Sequence, residues 1–225
     1  MILKLSKVLV VIGFACVSSF GAISISCADT SVKKVSVSPN KLVVVNPYNF
    51  LTNNFNKLQA EIKTSKASFE KNPDKLYNVI KEVVLPNIAV NQMAGTVLGP
   101  KWRKATPKQR HEFIAEFSKL LTRSYAIALL KVTHYEVKIR PLRGTSWKTQ
   151  QVVTLQAKII NKSNGQSSNS TFYLKKSGNS WKIFDLAVEG VSIVKNFREQ
   201  FDSFKSMKVL LDKIKVLNKA AEASK

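Results

Sequence analysis

The chain is poor in the residues from which most reactive sites are made. Of 225 residues only two are cysteine and two histidine, so a metal cluster or a disulfide framework is excluded in practice. Acids are scarce, 14 Asp+Glu against 36 Lys+Arg, for a formal charge of +22. That leaves little scope for a hydrolase built on paired carboxylates. After residue 25 no apolar run is long enough to cross a bilayer. There is no Gly-x-Ser-x-Gly, no glycine-rich phosphate loop and no histidine spacing suited to a metal. His111 sits among charges early in an expected helix and His134 at a helix-to-strand junction, and both read as structural. No catalytic residue, metal or cofactor is expected.

What is present is enough apolar residue, 44%, for a core that holds one domain together without cross-links. Lys4 and Lys7 precede an uncharged stretch, Val8 to Ile25, and Ser26-Cys27-Ala28 offers the small side chains of a cleavage site. Residues 1–28 are therefore expected to be a secretory signal cut after Ala28, placing the mature protein outside the cytoplasm. A retained membrane anchor, or lipid attachment at Cys27, is the competing reading. Cleavage would remove both cysteines. Residues 29–45 form a basic, serine-rich lead, expected to be mobile, and residues 46–220 a single domain.

Within that domain the apolar period is first 3.6 and then 2. Asn46-Pro47 predicts a helix to about Lys66, and Asn72-Pro73 starts another that runs to the break at Leu85-Pro86. A shorter helix follows, ending at Gly99-Pro100. Thr106-Pro107 with Gln109 is a capping box, and Phe113, Phe117, Leu121 and Tyr125 extend that helix to about Lys131. Four strands then follow: Tyr135 to Ile139, Gln150 to Ile160, Ser170 to Lys175, and Trp181 to Val188. Asn164-Gly165 and Ser177-Gly178-Asn179 mark the turns. Ser192 caps a return to helix. The expected fold class is α+β, with helices packed on a twisted, antiparallel, four-stranded meander sheet (NTF2/cystatin-like). In the last strand both parities are apolar: Trp181, Ile183 and Ala187 alternate with Phe184, Leu186 and Val188. Such a strand is covered on both faces, either by flanking helices or with one face lining an apolar cavity between the layers.

Charge is distributed unevenly. Val137 to Phe184 contains nine Lys/Arg and no carboxylate except beyond its end, and Pro100 to Arg110 holds five more with no acid. In an exported protein an anionic membrane surface is the available polyanion. An exported protein binding anionic polymers or nucleic acid is the alternative. A basic but functionally neutral surface accounts for the charge equally well. Glu189, beside Gly190, stands alone, which suits capping or recognition better than acid–base work.

The ordered set Leu85-Pro86, Met93-Ala94-Gly95-Thr96-Val97-Leu98-Gly99, Trp102 to Arg110, Phe113, Phe117, Leu120-Leu121, Ser124-Tyr125-Ala126 and Ala128-Leu129 resembles the MlaC (toluene-tolerance) family of phospholipid carriers. The resemblance resumes at Trp181 to Asp185, Val188 to Ser192 and Asn196-Phe197-Arg198. It spans about residues 50 to 210. Ala89, Ser124 and Phe197 depart from the Asp, Thr and Tyr that many members carry. The resemblance implies a non-enzymatic carrier that hides phospholipid tails in a cavity. Its partners would be an outer-membrane lipoprotein–porin complex and an inner-membrane ABC transporter with an MCE-domain subunit, with no nucleic acid. It would serve outer-membrane lipid asymmetry. On that implication the tails are expected against Val97, Leu98, Phe117, Leu121, Tyr125, Leu129, Leu155, Phe172, Leu174, Phe184, Leu186 and Val188. Glu189, Gly190, Val191 and Ser192 are expected at a docking surface or cavity mouth. Lys101, Arg103 and Arg143 are expected to meet headgroups or membrane. A third reading, a small NTF2-like hydrolase, requires a polar catalytic group inside the cavity.

Overall fold

In a computed structural model describing residues 44–223, Asn46 opens the domain as expected. Its Oδ1 accepts from the Tyr48 N–H at 2.9 Å, with Pro47 at the first helical position. Helix α1 (Pro47–Lys71) runs about a turn further than its periodicity suggests, because nothing breaks it before Asn72. That residue does two jobs. Its N–H donates to the Ser68 carbonyl, and its side chain caps α2 (Pro73–Val79) by accepting from the Asp74 N–H. Expectations for residues 1–43 lie outside the described residues. The end of the lead, Val45, is tied to the sheet by its N–H to Asn179 O and by the Trp181 indole N–H to its carbonyl, both 2.8 Å.

The helix after Asn72 does not stay α-helical to Leu85. It widens into a π-helical turn, Ile80–Val84, then tightens into a 3₁₀ turn, Leu85–Asn87, at Pro86. Helix α3 (Val90–Leu98) starts at Ala89 without a side-chain cap. At Gly99, whose φ of 52° favours glycine, the chain turns into a short α4 (Pro100–Lys104) that sequence periodicity does not reveal. Helix α5 (Pro107–Leu130) carries the expected capping box, with both Thr106–Gln109 hydrogen bonds formed.

Among the described residues the sheet has five strands in meander order, not four: β1 (Tyr135–Ile139), β2 (Val152–Asn161), β3 (Ser167–Ser177), β4 (Ser180–Val188) and β5 (Val191–Ser192). The extra strand is two residues long, too short to show a period. It folds back on β4 through Glu189-Gly190, both at positive φ. Helices α6 (Ile193–Asp202) and α7 (Met207–Ala223) close the domain.

A register shift in β4 corrects the expected parity. Tyr173 faces Asp185 and Leu174 faces Ile183, which leaves Phe184 bulged out without a partner. Parity therefore changes at Phe184. Trp181 and Ile183 before it, and Leu186 and Val188 after it, stand opposite Lys176, Leu174, Phe172 and Ser170, and so share one face. Four of the six apolar residues thus form one row interrupted by a bulge, while Ala187, opposite Thr171, is buried on the reverse face, so the end of β4 is covered on both sides as expected. Phe184 itself packs toward the helices α3 and α6.

Among the described residues, three apolar clusters hold the layers together. Helices α3, α5, α6 and α7 pack around Phe113, Phe117, Phe197 and Phe201. The start of α1 covers the sheet through Phe50 and Leu51 against Leu155, Phe172, Leu174 and Trp181. The rest of α1, α2 and the π turn meet α5 around Ile62, Phe69 and Ile80.

Candidate functional site

Where these clusters meet, the interior is not filled. A cavity of about 240 Å³ takes its walls from all three. Helix α1 contributes Leu51, Phe55 and Leu58, and the π and 3₁₀ turns contribute Ile80, Val83, Val84 and Leu85. Across from them, α5 presents Leu121, Tyr125, Ala128 and Leu129, and the sheet presents Phe172, Ile183, Leu186 and Val188. Val191, Ser192, Ile193 and Asn196 form the end where β5 runs into α6. The bulge makes this wall possible, because without it Leu186 and Val188 would turn away from Phe172.

The irregular stretch Ile80–Asn87 also has a reason. A π turn offsets its side chains from the α-helical stripe, and such turns recur at functional sites. Its far end is pinned to the free edge of β4, where Ile88 bridges Ile183 and the Ala89 N–H donates to Ile183 O at 2.8 Å.

The polar groups in the wall are nearly all engaged. The side-chain amides of Asn54 and Asn87 donate at 2.8 Å to Phe50 O and Val83 O of their own turns. Asp185 Oδ1 accepts from the N–H groups of Leu186 (2.8 Å) and Val194 (3.1 Å), and its Oδ2 from Ser192 Oγ (2.5 Å). Ser192 Oγ in turn accepts from the Lys195 N–H, capping α6. The carboxylate thus sits at a helix N-terminus, where negative charge is favoured. Burial, reinforced by the charge of Asp185, pushes the Tyr125 hydroxyl well above the ordinary phenol range. Tyr125 therefore stays a neutral group. Among the described residues no Lys, Arg or His lines the cavity. His111 and His134 are exposed elsewhere. Such a wall has little to offer a reacting polar bond and suits a long apolar guest.

Asp185 also joins β4, β5 and α6. Its replacement by alanine would leave the Val194 N–H and the Ser192 hydroxyl without their acceptor. The expected loss is about 2 kcal/mol in a denaturant titration, and unchanged stability would show that water replaces the carboxylate without penalty.

The structure separates the expected site residues into groups. Leu121, Tyr125, Leu129, Phe172, Leu186 and Val188 line the cavity. Val97, Leu98 and Phe117 are buried in the helical cluster instead, and Phe184 packs against it. Leu155 and Leu174 lie wholly buried between sheet and α1. Val191 and Ser192 reach the cavity, whereas Glu189 and Gly190 form the exposed turn before them. The Glu189 N–H donates to Asn169 O at 2.8 Å, and its carboxylate accepts from the Asn169 N–H. Its special setting is that of a turn clamp. Lys101 is drawn to Asp202 (3.4 Å), bracing α4 against the end of α6. Arg103 and Arg143 are exposed away from the cavity. Sequence reasoning missed the wall formed by Leu51, Phe55, Leu58 and the π turn. Their amphipathic spacing was visible, but not which element they would face.

A family model described as MlaC protein matches residues 52–219 of this chain. The toluene tolerance protein ttg2D of Pseudomonas putida is 25% identical over 156 residues, covering 69% of this chain and 71% of that protein. The intermembrane phospholipid transport system binding protein MlaC of Haemophilus influenzae is 22% identical over 163 residues, covering 71% and 75% respectively. The structure of a phospholipid-binding protein from Ralstonia solanacearum, in complex with a phospholipid, superposes with a TM-score of 0.71 at 22% identity. It covers 80% of this chain and 100% of the other.

Proposed function

The chain belongs to the MlaC protein family, and from that membership we propose that it is a periplasmic carrier of phospholipid whose cavity shields acyl tails. The observation that carries the proposal is the wall itself. A partly open space is lined from α1, the π turn, α5 and the sheet chiefly by apolar side chains, and the one carboxylate among its described lining residues is spent on the α6 N-terminus.

Transfer energetics explain why a carrier is needed. Two tails, roughly thirty methylenes at ~0.8 kcal/mol each, would cost more than 20 kcal/mol to expose to water. Free diffusion of such a lipid between membranes is negligible. A lining nearly as apolar as a bilayer makes handover close to isoenergetic, so exchange takes place in contact with each membrane's apparatus. On this reading those contacts are an outer-membrane lipoprotein–porin complex and an inner-membrane ABC transporter with an MCE-domain subunit. The direction of net flow is then set by them.

Native mass spectrometry and lipid extraction of the purified protein test the proposal. Co-purified phospholipid at close to one molecule per chain is the expected result. Unliganded protein that also fails to take up labelled phospholipid would refute it.

A further inference from the structure

The reverse side of the sheet carries a feature that the cavity does not use. Along β2 the side chains of Val153, Leu155, Ala157 and Ile159 are buried, so Val152, Thr154, Gln156 and Lys158 take the opposite face, all exposed. At one end of that face Lys158 stands directly opposite Lys138 of β1. At the other end Val152 stands opposite Lys175, and Lys175 opposite Lys182 of β4. Arg140 lies between the two pairs, its guanidinium donating to Gln156 Oε1 at 3.0 Å. Like charges placed directly across a pair of strands destabilise a sheet, and here two such pairs share one face. The acids near them are few. Glu136 approaches Lys138 at 3.5 Å, and Asp185 is committed to α6.

We propose that this face adsorbs the protein onto bilayers of anionic lipid. The two lysine pairs lie about 20 Å apart along β2. They meet many headgroups at once, and the repulsion stored in each pair is relieved when anions enter between them. The surroundings favour a lipid surface over an acidic protein. Protein interfaces rest on buried aromatic or arginine anchors, whereas the side chains between the pairs include Thr154, Gln156 and Thr171. Arg140 is already engaged, and Tyr173 is half-buried beside Phe184. Lys138, Lys158 and Lys175 are exposed and Lys182 is half-buried beside the start of α3, and the attractions of such point charges to an anionic surface add. Because Phe172 and Leu186 look into the cavity from the other side of the sheet, adsorption here leaves the cavity side uncovered. The proposal does not depend on what the cavity holds.

Sedimentation with vesicles tests it. The wild-type protein is expected to bind vesicles of mixed phosphatidylcholine and phosphatidylglycerol at low salt, to be released by high salt, and to ignore phosphatidylcholine alone. The triple variant Lys158→Gln, Lys175→Gln, Lys182→Gln should bind about a hundredfold more weakly, since each charge near an anionic surface contributes about a factor of five. A control variant, Lys57→Gln, Lys63→Gln, Lys213→Gln, removes the same charge from exposed helical positions and should bind nearly as the wild type does. All three share one N-terminus, so differences among them belong to the substituted faces. Equal losses in both variants would overturn the proposal by showing that only net charge matters. So would a wild-type protein that binds polyglutamate but not the anionic vesicles, which would assign the face to an acidic protein.

Discussion

Tryptophan at position 121 is expected to drive phospholipid out of the protein while leaving the fold in place. Leu121 is nearly buried on α5, facing the sheet across the cavity. An indole there takes up space in which a tail would lie. Displacing three methylenes from an apolar lining lowers affinity by roughly fiftyfold. Val188→Trp applies the same block from β4, and because the two residues lie on different elements, agreement between them points to the cavity and not to a local distortion. Enlarging a side chain against an existing void is better tolerated than overpacking a filled core, which costs about 1–3 kcal/mol. The melting transition should therefore survive in both variants. The check is the bound-lipid fraction by native mass spectrometry, beside a thermal melt. Wild-type lipid content in both variants would mean that the guest binds elsewhere.

Phe117→Ala is expected to do the reverse: to weaken the fold severely and leave the lipid content of each folded molecule unchanged. Phe117 is wholly buried. Its ring stacks on Phe113 at 5.4 Å and meets Phe197 and Phe201 edge-on at 5.2 and 6.2 Å. Truncation removes these contacts and leaves a hole that rigid helices cannot close, at a cost of about 3–5 kcal/mol. For a domain whose whole stability is about 5–15 kcal/mol, that is a large share. Urea titration should show a lower midpoint at an unchanged slope. A loss under 1 kcal/mol would show that the helices collapse onto the gap. Lost lipid in the folded fraction would place Phe117 in the binding site after all.

The contrast between these two residues shows where sequence reading stops. Phe117 and Leu121 lie one helical turn apart on the same apolar stripe of α5, and nothing local distinguishes them. What differs is the element opposite. Phe197 and Phe201 of α6 fill the space before Phe117, whereas Leu121 and Tyr125, packed at the margin of the same cluster, also border the cavity. Leu155 and Leu174, on well-formed strands, met the same ambiguity and proved to be solid core. Glu189 was conspicuous beside Gly190, yet its carboxylate serves the backbone of β3.

The sequence by itself determined the long helices, the principal strands and their meander order, though not the short α4, because caps, prolines, turn dipeptides and apolar period act within a few residues of one another. Asn46, Thr106 and Ser192 each cap a helix as their neighbours dictate. The tertiary structure alone decided the bulge at Phe184, the π turn at Ile80–Val84 and the hollow they help to line. Each depends on how distant segments are shifted against one another, and a shift of one residue in β4 exchanges its faces. Whether an apolar side chain touches a neighbour or an empty space is a property of the assembled layers, and no stretch of the chain carries it alone.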